Sequence, residues 1–263
     1  MRRYLKLLYI QVRASMTVSM QYRVDFLVQG VVSVFWAALA LVPLGIVFSG
    51  SRQSVAGWSF PEVLLVLGWF TLLKALLEGA INPSLLAVIE HIRKGTLDFV
   101  LLKPADAQFL VSTSRFDPWR ITDALVGLIL FAVSFTLLGR WPRPANAGLA
   151  LVMLAIAVLL LYSMWILVIS AAFYVVRIDN LSFLLSSIFD AGRWPVNVFS
   201  GALRFVFTFV IPLAVMTTYP AMALLGKLEL TTAAWAASGA LAFAVAARWV
   251  WTRSLARYTS ASS

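Results

Sequence analysis

Two charged residues fall where charge is energetically unfavourable. Lys74 and Glu78 lie inside an otherwise apolar run, four positions apart. On a helix that spacing places both on one face, close enough to pair. Counted from Ser59 at about 1.5 Å per residue, Lys74 lies roughly 22 Å along the run and Glu78 roughly 28 Å. Charges at that depth pair, face a cavity, or snorkel to the headgroups. The two residues alone leave packing and contact with a translocated molecule both open. A second collection surrounds Gly95: Glu90, His91, Arg93, Lys94 and Asp98, interleaved with Leu97, Phe99, Leu101 and Leu102. Such a mixture suits either a cap on neighbouring helix ends or a docking surface for a soluble partner.

Other chemistry finds no residues to carry it. There is no cysteine and a single histidine, so thiol catalysis and His-rich or Cys-based metal sites are excluded. No G-x-x-x-x-G-K-[ST] occurs, and Leu225-Gly226-Lys227-Leu228 lacks both the upstream glycine and the following hydroxyl. Neither G-x-S-x-G nor H-E-x-x-H is present. The 11 acidic residues are scattered. Asp117, Asp123, Asp179 and Asp190 read as solvated or helix-capping, and Glu62 as solvated at the mouth of a span.

The elements that position these residues follow from composition. Hydrophobic residues make up 62% of the 263-residue chain, charged residues only 12%, yet the net charge is +10. Soluble domains carry about 25% charged residues, and disordered chains are polar. A nucleic-acid binder would need its basic residues gathered on a soluble face. A membrane protein with unequally distributed charge remains. A helix needs about 20 apolar residues to cross the bilayer. Six runs meet or approach that length: Phe26–Phe48, Ser59–Ile81, Ile121–Leu138, Ala147–Val176, Val196–Thr218 and Thr231–Trp251. None shows the short alternation of a membrane barrel. Alternate loops then hold 16 of the 21 Lys and Arg on one side and four on the other. By the positive-inside rule both termini are cytoplasmic. The expected fold is an all-α polytopic membrane protein, one transmembrane domain over residues 1–263.

Three pieces lie outside the spans. Residues 1–25 read as a cationic amphipathic helix along the bilayer surface, part of the folded chain and not a cleaved signal: Leu5, Leu8, Tyr9, Val12 and Met16 share one side, Arg2, Arg3, Lys6 and Arg13 another. Residues 82–118 form the longest insertion. Leu85, Ile89 and Ile92 recur at helical spacing with Glu90, Arg93 and Lys94 turned away, and Gly95 stops the helix as a C′ glycine does. Thr96–Leu102 is amphipathic again and Pro104 ends it. Leu181–Phe189 reads as a short interfacial helix capped by Asp179 or Asn180, and Tyr219–Gly226 as a short re-entrant or interfacial piece on the other side.

The run Ile92-Arg-Lys-Gly-Thr-Leu-Asp-Phe-Val-Leu-Leu-Lys-Pro104 resembles the R-x-G-x-[LI]-[DE]-x-x-L-x-x-P stretch of ABC-2 type transporter permeases. Arg193-Trp-Pro, Phe209-Val-Ile-Pro-Leu-Ala and Tyr219-Pro-Ala-Met-Ala-Leu-Leu-Gly226 are similar to later stretches of the six-span subgroup. The resemblance implies the permease subunit of an ATP-binding-cassette exporter in a bacterial cytoplasmic membrane. It implies pairing with a second permease, identical or sister, and docking to an ATPase subunit that alone binds ATP and Mg. This chain would bind no cofactor. The coupling segment would be Glu90, Arg93, Lys94, Gly95, Thr96, Leu97 and Asp98. The path would run between the first, second and fifth spans, with Trp36, Trp69, Phe70, Lys74, Glu78, Phe205 and Phe209 as candidate lining. An apolar, aromatic path suits an amphipathic substrate. A membrane scaffold without transport is the alternative.

Overall fold

A computed structural model describes residues 2–21, 23–49, 54–174 and 179–258. Helix α1 (Arg2–Gln21) buries none of its side chains. Helix α2 (Arg23–Phe48) follows, with Pro43 inside it. Strands β1 (Ser54–Val55) and β2 (Trp58–Ser59) pair antiparallel across Ala56 and Gly57, both with positive φ (52° and 81°), as a two-residue primed turn requires. Helix α3 (Phe60–Leu76) then passes through a π turn (Leu77–Ile81) into α4 (Asn82–Arg93), making one 34-residue rod. Short helices α5 (Asp98–Leu101) and α6 (Ala107–Ser112) lead to α7 (Ile121–Leu138) and α8 (Pro144–Ser170). After α9 (Asp179–Phe189) come α10 (Gly201–Phe205), α11 (Tyr219–Leu225) and α12 (Leu230–Leu255).

The core forms around α3, which is buried on nearly every side. Leu65, Leu67, Leu73 and Leu77 pack in one cluster with Met153, Leu160, Leu161 and Trp165 of α8. Helix α7 covers one flank of α3, α11 and the turn before it another, and α12 packs on the outside of α8. Helix α2 rests mainly on α7 and leaves Val31, Phe35, Leu39 and Ile46 exposed.

Two ends of the bundle are marked by ion pairs. At the hairpin end Lys227 reaches Glu62 at 2.6 Å, and Gly226 lies so close to Asn146 that a Cβ there would stand 2.7 Å from its Nδ2. At the other end, the basic end, Arg248 reaches Asp106 at 2.6 Å and Arg3 donates to the Pro104 carbonyl. Among the described residues, five helices are long and apolar enough to cross a membrane, and a sixth candidate is the pair Gly201–Val210 and Ala214–Leu225, bent by 71°.

That pair corrects the expected fifth span, Val196–Thr218. Its first arm begins at the hairpin end, where Gly201 and Arg204 share a groove with Trp58 and Lys227. Its second arm returns there at Leu225–Gly226. Both ends lie on one side, so the pair is re-entrant. The chain leaves α8 at the basic end, where Phe173 meets Trp251 and Tyr258, and enters α12 at the hairpin end. The crossing between them is therefore made by Asp179–Phe199. Phe189 lies 5.3 Å from the ring of Phe70, and Val196 N–H donates to Thr218 Oγ1 at 3.1 Å. So α9 begins a span, not an interfacial helix. The apolar run misled because Pro212 breaks it, whereas the true crossing is interrupted by 3-10 turns at Asp190–Arg193 and Val196–Val198. Arg204 accordingly belongs to the hairpin end. The side chains of Asp179 and Asn180, and the expected end of the fourth span at Val176, lie outside the described residues.

Prolines also explain the π turns. Leu77–Ile81, Val206–Val210 and Ala214–Thr218 each end one residue before an X-Pro bond, at Asn82-Pro83, Ile211-Pro212 and Tyr219-Pro220. A proline ring clashes with the carbonyl four residues back and offers no N–H to it. Widening to a bond five residues back relieves both, as in Asn82 N–H to Leu77 O and Tyr219 N–H to Ala214 O.

Candidate functional site

A groove of about 750 Å³ runs between α2, α3, the start of α7 and the residues after α9. Toward the hairpin end its wall is apolar: Trp36, Leu39, Ala40, Pro43 and Leu67. Toward the basic end it carries six charges. Lys74 Nζ sits 2.8 Å from Asp190 Oδ1, and Arg193 Nη2 lies 3.4 Å from the same oxygen. Both cations also lie 5.5 Å from the ring centre of Phe70. One turn nearer the basic end, Arg120 contacts Asp123 at 3.0 Å and Glu78 at 3.9 Å. Ser33 of α2 donates to Asp123, and Asn82 donates to Glu78 at 3.2 Å. The guanidinium of Arg120 lies over Trp119 at 4.0 Å.

Local backbone seats these groups. Gly79, inside the first π turn, lets Arg120 approach until a Cβ there would stand 3.0 Å from Arg120 Cβ, and its carbonyl accepts from Asp117 N–H at 2.8 Å. Burial pushes the Asp117 carboxyl above its ordinary value. Helices α3 and α7 cross at Gly68 and Gly127, where small residues let two backbones meet.

The expected lining residues divide. Trp36, Phe70, Lys74 and Glu78 share the groove. Trp69 does not: it is buried against Phe131 at 5.0 Å on the α7 side of α3. Phe205 and Phe209 pack against each other, tilted with ring centres 5.2 Å apart, in a separate groove beside the hairpin, because the segment carrying them is re-entrant. Lys74 and Glu78 do not pair, since each has a nearer partner on another element. Glu62 is not solvated. It is 7% exposed, binds Lys227 and accepts from Ser59 N–H at 3.1 Å. Asp190 and Asp123 are groove residues rather than boundary caps. Arg120, Asp123, Asp190 and Arg193 were missed as site residues, although each acidic residue stands three positions from an arginine at the edge of an apolar run.

The segment expected to couple to the ATPase lies at the basic end. Helix α4 closes in a Schellman motif: Thr96 N–H donates to His91 O at 2.9 Å, Gly95 N–H to Ile92 O at 3.3 Å, and Gly95 holds φ at 66°. His91 Nδ1 and Thr96 Oγ1 are 2.8 Å apart across the motif. Glu90, Arg93 and Lys94 are exposed, and Glu90 and Lys94 approach to 3.8 Å. Leu97 is 0% exposed and anchors the turn, whereas Phe99 is 69% and Leu102 81% exposed. Asp98 starts α5, which is shorter than the amphipathic Thr96–Leu102 helix expected.

Behind this segment, residues 104–116 are tied to three other elements. Asp106 N–H donates to Tyr4 Oη at 3.3 Å, Thr113 to Gln11 at 2.6 Å and Phe116 N–H to Ser15 at 3.1 Å, all on α1. Ser84 and Arg115 exchange hydrogen bonds at 2.5 and 3.0 Å. Arg248 of α12 grips both Asp106 and Gln108. That guanidinium holds the Asp106 carboxyl below its ordinary value.

Apolar crossings, a charged groove at membrane depth and an exposed loop on the rod that lines it define a multi-pass helical membrane protein. A family model of ABC-2 family transporter proteins matches residues 34–262, and the chain belongs to that family. It is thus a membrane permease subunit of an ATP-binding-cassette transporter, a family whose ATPase is normally a separate chain. No curated protein and no solved structure matches it.

Proposed function

We propose that this permease exports an amphipathic substrate from the inner leaflet of a bacterial cytoplasmic membrane. Its basic end, with both termini, faces the cytoplasm by the positive-inside rule. It works paired with a second permease, and ATP and Mg are bound by the ATPase subunits alone. Glu90, Arg93, Lys94, Gly95, Thr96 and Asp98 form the face that meets the ATPase, and Leu97, expected among them, holds that face from beneath as its buried anchor.

The observation that carries this reading is the rod Phe60–Arg93. It bears Lys74 and Glu78 in the groove and ends at the exposed loop. Glu78 lies 15 residues before Arg93, about 22 Å along one helix axis. A push on the loop by a closing ATPase therefore reaches the groove through one helix, and the two permeases rearrange as rigid bodies. The amphipathic substrate follows from a groove apolar at one end and charged at the other.

The test is the complex with its ATPase in proteoliposomes. Arg93→Glu with Asp98→Lys should abolish substrate-stimulated ATP hydrolysis while the permease stays folded. Stimulation equal to wild type would refute docking through this loop. Failure of the chain to co-purify with any ATP-binding subunit would favour the scaffold reading.

A further inference from the structure

The six groove charges are not evenly mixed. Two cations, Lys74 and Arg193, share the single carboxylate of Asp190, so this cluster has a formal excess of one positive charge. Two carboxylates, Asp123 and Glu78, share Arg120, so that cluster has an excess of one negative charge. Lys74 and Glu78 place the clusters one turn apart on the rod, about 6 Å. All six side chains are partly open, from 13% to 38% exposed, so each excess reaches the groove.

The order along the membrane normal is equally defined. From the hairpin end the groove presents its apolar wall, Trp36 to Pro43, about 10 Å long. Next comes the positive cluster, and then the negative cluster nearest the basic end. A ligand complementary to all three has a tail, then an anionic group, then a terminal cation. We infer that the groove binds a zwitterionic amphiphile in the order tail, phosphate-type anion, ammonium. This deepens the exporter reading and rests on it for the substrate's leaflet. Head toward the basic end and tail toward the bilayer centre is how a cytoplasmic-leaflet lipid already lies. The opposite order, with the cation next to the tail, would set each charge against a cluster of its own sign.

The experiment uses the intact complex of permease and ATPase in nanodiscs of phosphatidylglycerol. Four amphiphiles with one twelve-carbon tail are titrated below their micellar concentrations. They are a phosphocholine (tail, phosphate, ammonium), a sulfobetaine (tail, ammonium, sulfonate), a trimethylammonium and a sulfate. ATP hydrolysis should be stimulated by the phosphocholine at about a tenfold lower concentration than by the sulfobetaine, the loss expected for a misplaced charge-assisted contact. Lys74→Glu with Glu78→Lys should reverse that order. Where the double variant does not assemble, the wild-type series decides alone. Equal half-saturation by phosphocholine and sulfobetaine overturns the inference and leaves the exporter reading standing. Stimulation by none of the four overturns both. Adding diacyl phosphatidylethanolamine to the nanodiscs separates the sources. Stimulation by it assigns a membrane phospholipid, and stimulation by the single-chain phosphocholine alone assigns a soluble amphiphile of the same charge order.

Discussion

Replacing Gly127 by Ala adds one methyl group where two helices touch. The new Cβ would lie 3.0 Å from Gly68 O and 3.2 Å from Leu72 N, both backbone atoms that no rotamer change can withdraw. Helix α7 must then retreat from α3 by a few tenths of an ångström. Overpacking of this kind costs about 1–3 kcal/mol. Alanine recovers about 1 kcal/mol as a better helix former than glycine. The net expectation is a loss of roughly 1 kcal/mol. Gly239, in the middle of α12, has nothing within 4 Å of its built Cβ, so Gly239→Ala should show only the gain. The same chemical change at two sites should therefore differ by about 2 kcal/mol. For a chain of this size, 1 kcal/mol moves the melting temperature by roughly 2–4 °C. In detergent, with intrinsic fluorescence and one scan rate, Gly127→Ala should melt at least about 4 °C below Gly239→Ala. Asp123 lies one turn before Gly127, so amphiphile-stimulated ATP hydrolysis should fall as well. A melting temperature for Gly127→Ala at or above that of Gly239→Ala would refute the close crossing.

Three further expectations follow from other sites. Gly95→Ala forces alanine to a positive φ at a cost of about 1–2 kcal/mol; proteolysis after Lys94 should quicken and ATPase stimulation should weaken, and an unchanged cleavage rate would count against the Schellman turn. Lys227→Met strands the buried Glu62 carboxylate and should lower stability by about 2 kcal/mol, below the roughly 3–5 kcal/mol of a fully buried pair because Lys227 is half-open; adding Glu62→Gln should recover most of the melting temperature. The depressed Asp106 carboxyl means its tie to Arg248 is complete above the ordinary carboxylate range and fades as pH falls through the lowered folded value. Because the pair is half-open, the tie contributes no more than about 1 kcal/mol. Asp106→Asn should flatten the acid limb of a stability–pH profile, and an unaltered limb would exclude the pair.

The all-α fold of apolar crossings was legible because apolar length acts locally. Gly95 was legible for the same reason: a glycine after an amphipathic run is a stop signal wherever the chain goes. The fifth crossing was hidden, because a sliding apolar window ranks Val196–Thr218 above a segment containing Asp190 and Arg193. Those two charges are tolerated at depth only because Lys74 and the Phe70 ring meet them, a contact spanning 116 positions between Lys74 and Asp190. The Lys74–Glu78 pair failed by the same logic. Helical spacing makes that contact available, but it says nothing of the better partners that Asp190 and Arg120 bring from elsewhere. Trp69 and Trp36 look alike in sequence, and only the position of α7 decides that the first is buried against Phe131 and the second lines the groove.

Pro83 and the extra residue of the π turn before it form one mechanical unit. A single residue added to an α-helix rotates everything beyond it by about 100°. The rod therefore carries two faces out of phase: Lys74 is aimed at the groove by one, and Ser84 at Arg115 by the other. Deleting one residue from Leu77–Ile81, or changing Pro83 alone, would twist the exposed loop around the rod axis relative to the groove. Removing both together would leave a straight helix with its lower part back in phase. Insertions and deletions along this rod should thus be tolerated only as compensated pairs, which makes the proline a reading-frame marker for helix orientation rather than a mere kink.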